Sequence, residues 1–316
     1  MIVVDEDKIV KNPLVSIRVH SYNQEQYIEQ CLDSILAQKT NFEYEIVLAN
    51  NPSEDRTKEI CIEYQKRYPE RIRLLLREQN MGFFANFFET GRMCRGKYIA
   101  RCDADDYWCD NNKLQKQVDV MESDSSIGLC YTRSYTLNES NNTIIEPKCI
   151  YYNGFKAHLL YEHILTLTVM HRRDLYEQYI NDIQPEGKGW LMEDSPISLW
   201  YSANTRIKGL DDITSVYRVI ADSISHPKDY KKMEAFNKSL LDIRLFFYNK
   251  YCPGDTELVK PIYNDYYNRN VLAAYSSRKI KALWSNMRCY IYDDFRTPLK
   301  HISLLLKLLV KKILNK

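Results

Sequence analysis

The sequence predicts an α/β fold built on a mostly parallel central sheet, and two observations carry that prediction. Over about the first hundred residues, short apolar runs alternate four times with amphipathic segments, the signature of βαβ units and right-handed crossovers. Each apolar run also stops in a polar or glycine-bearing loop. Such loops line one crevice at the carboxyl ends of the strands, where α/β sheets bind ligands.

Leu14 to His20 reads as the first buried strand, entered at Pro13. It stops at Ser21-Tyr22-Asn23, short polar side chains that favour a turn and a helix N-cap. Ile28, Cys31, Leu32, Ile35 and Leu36 then fall at i, i+3, i+4, i+7 and i+8, one apolar helix face. Tyr44 to Ala49 is a second strand, ending at Asn50-Asn51-Pro52-Ser53-Glu54-Asp55, where Ser53 or Asp55 can cap a helix over about 57–67. Ile72 to Leu76 is a third strand and Asn80-Met81-Gly82 a turn. A helix over about 85–93 leads to a strand at 98–102, followed by a helix at 113–121 and a strand at 127–131. Asn138 to Asn142 reads as a polar hairpin tip, 165–170 as a strand, and Arg172-Arg173-Asp174 as a helix start. Gly187 to Pro196 is a Gly-rich approach to the carboxylates Glu193 and Asp194, with Pro196 suited to an early helical position. Residues 207–210 and 214–217 read as short strands. Past Ser223 the texture changes to helices with long polar faces, which divides the chain into 1–225 and a helical region at 226–316.

The stretch that organises the chain is Gly96 to Trp108, where a short strand ends in three carboxylates, Asp103, Asp105 and Asp106. Mutual repulsion disfavours such a cluster unless a cation or positive ligand sits among the carboxylates. The alternative is a solvated loop in which Asp106 caps the next helix. No Gly-x-Gly-x-x-Gly follows a strand and no Walker loop exists, so phosphate would be held by metal and side chains.

Composition narrows the field. A net charge of +2 leaves no nucleic-acid footprint. Nine Cys without a Cys-x-x-Cys pair argue against a zinc site and a disulfide framework, and suit a reducing cytoplasm. The first residues lack the basic-then-apolar order of a signal peptide, and no run of about 18 apolar residues occurs. At the other end, Ile302, Leu305, Leu306, Leu309, Val310 and Ile313 share one helical face, widened by Leu304 and Leu308. Lys300, Lys307 and Lys311 lie on the other side, with Lys312 and Lys316 nearby. Such a basic amphipathic helix can lie in a membrane interface; the alternative is packing against the main domain or a second subunit.

With the elements placed, residues 13–220 resemble family 2 inverting glycosyltransferases of the GT-A fold, the bacterial surface-polysaccharide type. The resemblance rests on Val15 to Asn23, Tyr27 to Gln38, Glu45 to Thr57, Asn80-Met81-Gly82, Asp103-Ala104-Asp105-Asp106-Tyr107-Trp108, and Glu193-Asp194 followed by Val216 to Val219. It implies that Ser21, Tyr22 and Asn23 meet the nucleotide, with Asn80 and Gly82 near it. Asn50 and Asn51 stand where the family carries acidic residues that contact the base, a departure that touches base selectivity. Asp103 would touch the ribose or metal side, Asp105 would ligate Mn²⁺ or Mg²⁺, Asp194 would be the general base, and Arg218 could help neutralise the diphosphate. Arg218 could equally belong to an ordinary ion pair, and Asp194 could be only a cap.

The expected function is transfer of a sugar from a nucleotide-sugar, a UDP-sugar, to a hydroxyl of a lipid-linked or lipopolysaccharide/capsule glycan. The expected place is the cytoplasmic face of the cell membrane, with the C-terminal helix on its surface and no nucleic-acid partner. Transfer to a protein or soluble glycan, or a non-catalytic nucleotide- or carbohydrate-binding relative, are the alternatives. Loss of Asp105 or Asp194 would mark the last of these, and both are present.

Overall fold

The structure is a computed structural model that describes residues 2–4, 6–147, 154–161, 164–220, 227–291 and 296–314. The expected boundary at 225/226 and Lys316 lie outside the described residues. The chain runs through β1 (Ile2–Val4), β2 (Val15–Ser21), α1 (Ile28–Leu36), β3 (Tyr44–Asn50), α2 (Thr57–Arg67), β4 (Ile72–Leu76) and α3 (Gly82–Arg92). There follow β5 (Tyr98–Arg101), β6 (Tyr107–Trp108), α4 (Lys113–Ser123), β7 (Ile127–Asn138), β8 (Thr143–Ile145) and α5 (Phe155–Tyr161). Next come β9 (Val169–Arg172), α6 (Arg173–Ile183), α7 (Asp194–Asn204) and β10 (Arg206–Val219). The described chain ends in α8 (Tyr230–Tyr251), α9 (Val259–Ser276), α10 (Ile280–Cys289) and α11 (Arg296–Leu314).

Two compact units result. The first holds Met1–Gly154, His163–Gly189 and Trp200–Val219; the second holds Phe155–Glu162, Trp190–Leu199 and Ile220–Lys316. In the first, the strands lie in the order β1-β4-β3-β2-β5-β9-β7-β10-β6, with β8 on β7. The middle run β4-β3-β2-β5 is parallel, as is the pair β7 and β10. β1, β6, β8 and β9 add antiparallel pairings.

Every residue of β2 and β3 is buried, as expected of strands covered on both faces. Val15, Ile17 and Val19 pack with Ile28, Leu32 and Ile35 of α1 and Ile60 of α2 in the main core. The other face of β2 carries Ser16, Arg18 and His20, all buried as well. There Ser16 Oγ donates to Glu45 at 2.6 Å, and Arg95 grips the same carboxylate through Nε at 3.0 Å and Nη2 at 2.7 Å. Gly96 passes so close to β2 that a Cβ on it would sit 2.6 Å from the Ser16 nitrogen, so only glycine fits.

Four elements differ from the sequence expectation. α3 starts three residues earlier, at Gly82, whose φ of +76° suits glycine and whose N–H donates to Asn80 Oδ1 at 2.9 Å. The strand expected at 165–170 is a 3₁₀ turn over Thr166–Thr168 followed by β9. β7 runs on to Asn138, because it pairs with β10 along most of its length. The two short strands at 207–210 and 214–217 are one strand, β10, in which register shifts between Gly209 and Ser215 absorb the polar Asp211-Asp212 step.

In the second unit, Asp229 caps α8 by accepting the Lys232 N–H at 3.0 Å. Tyr230, Val271, Ala274, Leu283, Met287 and Leu308 form a core shared by α8 to α11. The apolar residues of α11 do not share one face. His301 and Leu308 are buried and Leu304 and Leu305 pack partly against the core, whereas Leu299, Ile302, Leu306, Leu309 and Val310 are exposed. Among the described residues no helix is long and apolar enough to cross a membrane.

Candidate active site

The carboxyl ends of β2, β3, β4 and β5 come together through backbone hydrogen bonds. Asn51 N donates to Ser21 O at 3.0 Å, Arg77 N to Asn50 O at 3.1 Å, and Ala104 N to His20 O at 3.3 Å. The loops that the sequence singles out therefore meet at one edge of the sheet.

At the β2 and β3 ends, Asn50 Nδ2 donates to Ser21 Oγ at 3.0 Å and to Ser53 Oγ at 3.2 Å. Ser53 Oγ in turn donates to Asn51 O at 3.1 Å, and Ser21 Oγ reaches Ala49 O at 3.5 Å. An amide at position 50 supplies the two donors that meet these hydroxyl oxygens, which a carboxylate would lack. Asn23 adopts a left-handed φ of +53° and ties the two loops: its N–H donates to Ser53 Oγ at 3.1 Å and its Oδ1 accepts from Glu54 N at 2.9 Å. Asn51 is buried, and its Oδ1 has no hydrogen-bond partner among the described residues. A buried acceptor without a donor marks a place built for a ligand N–H or a water. Tyr22, next to Ser21 in the chain, is 43% exposed.

At the β5 end, Arg101 holds Asp103 Oδ1 through Nε and Nη2, both at 2.9 Å, and lies over the Phe87 ring 5.0 Å from its centroid. His20 stacks on the same ring at 5.6 Å, with Nδ1 3.9 Å from Asp103 Oδ1. Burial, then the charges of Arg18, Arg101 and Arg77, push the His20 pKa well below the ordinary imidazole value, so the ring is neutral. Burial, reinforced by the charge of Asp103, raises the Asp105 pKa to about 6. Burial pushes Asp106 far up as well, with Asp105 and Asp103 adding to it. Burial thus disfavours the charged forms of Asp105 and Asp106, against the opposing charges of Arg101 and Arg218.

Arg218, near the end of β10, locks this loop. Its N–H donates to Asp106 Oδ1 at 2.8 Å and Nη1 to Asp105 O at 2.7 Å. Nε donates to Glu139 at 2.6 Å and Nη2 to Gln30. The guanidinium lies between the rings of Tyr27 and Tyr107, at 5.0 and 4.7 Å. All three of its nitrogens are engaged within the unit, the geometry of a residue that positions the loop.

Asp194 opens α7 in the second unit, half-buried, with Oδ1 accepting the Ser195 N–H at 2.8 Å. Asn80 and Gly82 form the exposed turn before α3. Sequence reasoning did not single out His20, Arg101, Gln30 and Glu139. His20 shares a face of β2 with Arg18, yet nothing local gives either residue a role, and Arg101 meets Asp103 only beyond the end of β5.

Asp103 and Asp105 offer hard oxygen ligands, which suit Mn²⁺ or Mg²⁺ and not a soft metal. Among the described residues no three His, Cys, Asp or Glu side chains converge into a cage that would hold an ion alone. Phosphate oxygens would have to complete such a site.

The carboxyl edge of this α/β sheet thus gathers amide and hydroxyl groups on one side and an Asp-x-Asp loop on the other. The model of glycosyl transferase family 2 matches residues 16–178, just over half of the chain, and the chain belongs to that family. It is 28% identical over 224 residues to a putative teichuronic acid biosynthesis glycosyltransferase of Bacillus subtilis, TuaG, covering 68% of this chain and 83% of that one. Mycobacterial relatives, described only as uncharacterized, are 43% identical over 117 residues, and the chain spans 34% of their length. Among solved structures, S. aureus TarS 1–349 in complex with UDP-GlcNAc superposes with a TM-score of 0.59 at 17% identity, over 88% of this chain and 81% of that one. A mannosyltransferase of Pyrobaculum calidifontis in complex with GDP-Man and Mn²⁺ gives 0.58 at 16% identity, over 97% and 88%. These two likenesses bear out the expected GT-A fold class.

Proposed function

We propose that this chain is an inverting glycosyltransferase that moves a sugar from a UDP-sugar to a hydroxyl of a lipid-linked or cell-surface glycan. It works at the cytoplasmic face of the membrane, with residues 1–225 as the transferase domain and 226–316 as the region that holds it there. The observation that carries the donor half of this reading is the carboxylate loop at the carboxyl end of β5, where burial and the charge of Asp103 raise Asp105 to about 6 against the pull of Arg101 and Arg218. The likeness to TuaG, a putative teichuronic acid biosynthesis glycosyltransferase, supports a glycan acceptor, and TarS in complex with UDP-GlcNAc supports a uridine donor.

In this reading Asp105 binds a divalent cation together with the donor diphosphate, and Asp103, oriented by Arg101, completes the protein's share. Such a cation, when bound, supplies Lewis-acid stabilisation of the leaving diphosphate. The Asn51 amide and the Tyr22 ring receive the base, and Ser21, Asn23 and Asn50 keep the two loops in register for it. Asn80 and Gly82 border the nucleotide. Arg218 acts by holding the loop backbone, a role that replaces direct contact with the diphosphate. Asp194 takes the proton from the acceptor hydroxyl as it attacks opposite the leaving group, which inverts the anomeric centre.

The test is a screen for donor hydrolysis and transfer over UDP-, GDP- and dTDP-sugars with and without Mn²⁺. Hydrolysis of a UDP-sugar should require the metal and vanish in EDTA. Asp105→Ala should lower it by at least about 100-fold, the scale of several kcal/mol of charge stabilisation, with the fold intact. Asp194→Asn keeps the capping oxygen but removes the proton acceptor, so kcat for transfer should collapse while donor affinity holds. Full turnover in excess EDTA, or an Asp194→Asn enzyme with normal kcat, would overturn the respective assignment.

A further inference from the structure

The exposed face of α11 is apolar where a helix of a self-contained unit is normally polar. Leu299 is 65% exposed, Leu306 55%, Val310 52% and Ile302 45%, and together with Tyr275 and Lys307 they line a shallow groove of about 590 Å³. This is not the face that holds the helix in place. His301, buried completely, donates through Nε2 to Asn268 Oδ1 at 3.1 Å and meets Tyr290 edge-on, while Leu308 reaches the core. At 100° per residue, Lys300 and Lys307 align along one edge of the exposed stripe.

Charge is segregated to the same end of the chain. Residues 278–316 hold ten Lys and Arg against two Asp, whereas the whole chain balances 44 basic residues against 42 acidic ones. Residues 1–277 are therefore net acidic. A second copy of this chain would bring like-charged helices together, which opposes self-association through this face. An apolar stripe bordered by lysines instead matches a surface that is anionic at its rim and apolar below it.

We propose that the Leu299–Ile302–Leu306–Val310 stripe with Lys300 and Lys307 is a docking surface for an anionic lipid bilayer. The helix lies in the interface plane while its opposite face, His301 to Leu308, stays clamped to the helical core. This deepens the membrane-surface part of the function proposed above by naming the face and the lipid chemistry. Leu304, Leu305 and Leu308, apolar in sequence, have no part in it.

The experiment uses the full chain and sedimentation with vesicles of phosphatidylcholine alone or with 30% phosphatidylglycerol, alongside donor hydrolysis and light-scattering mass. The full chain should bind the anionic vesicles and release them as salt rises. A Lys300→Gln/Lys307→Gln variant should bind them about thirtyfold more weakly, from a factor of about five per basic residue near an anionic surface. Ile302→Glu/Leu306→Glu should abolish binding with helical content and donor hydrolysis unchanged. Equal binding to both vesicle types, no binding to either, or a dimer that the double Glu variant dissociates would each overturn the proposal. Vesicle binding without donor hydrolysis would sink the catalytic reading and leave the surface standing.

Discussion

At the scale of single residues, Asp105 is the most sensitive probe of the site. Its pKa of about 6 lies above the unfolded carboxylate value near 4, so between those pH values the folded state holds the proton more tightly than the unfolded chain. Without metal, stability should therefore rise as pH falls through 6 and stop rising near 4. A bound divalent cation favours the ionised form and should reverse the sign, with Mn²⁺ stabilising most above pH 6. Thermal melts of the wild type and Asp105→Asn at pH 4.5, 6 and 7.5, with and without Mn²⁺, check both halves. A wild type whose metal response is the same at pH 4.5 and 7.5 would exclude Asp105 as the ligand. Asn50 teaches a related lesson. Its amide nitrogen donates to both the Ser21 and Ser53 hydroxyl oxygens, a pair of bonds that an acidic residue could not make in the same sense.

At the scale of elements, α4 carries the clearest local conflict. Lys113 in its first turn is wholly buried, near Gln117, with Nζ 3.4 Å from Thr168 O and 4.6 Å from the centre of the Trp108 ring. Burial pushes its pKa down to about 7. Below pH 7 the amine is charged in both states, and its desolvation opposes folding in full. Between about 7 and 10 only the unfolded chain keeps the proton, so stability climbs with pH over that window. Lys113→Met keeps the volume and removes the charge. It should stabilise the protein by about 1–4 kcal/mol at pH 6.5, and the gain should shrink by pH 9. Denaturant titrations of the two proteins at both pH values read the difference directly; a gain that does not depend on pH would exclude a buried charge as its cause.

At the scale of the molecule, most of the fold was legible because the parallel strands are short apolar runs and the helices between them keep a 3.6 period. α1, α2 and β4 stand at the expected residues. What was illegible depended on partners distant in sequence. Nothing within residues 207–217 says that bulges carry one strand through Asp211-Asp212, because the pairing with β7 decides it. The α11 stripe misled for a similar reason: a helix apolar on more than one side does not disclose which side a core will claim. Asp103, Asp105 and the Asn50-Asn51 step announced themselves through residue type and position at strand ends. His20 and Arg101 did not, since a polar residue within a buried strand acquires meaning only when the covering helix is placed on it.

The bond between Arg218 and the carboxylate loop also has a consequence in time. Asp106 and the Arg218 N–H that it accepts are 112 residues apart. A ribosome adding 5–20 residues per second reaches Arg218 roughly 6–22 s after Asp106. Until then the nascent chain has made β2, β3 and β5, and the loop is held only on its β5 side, by Arg101 on Asp103 and by Ala104 on His20. A half-made chain thus lacks the hold on Asp105 and Asp106, and a truncation ending before β10, at residue 205, should bind no UDP-sugar in Mn²⁺ by calorimetry even where its early strands are paired. Binding by that fragment would show that the loop organises itself. Donor recognition is, on this geometry, among the last properties the growing protein acquires.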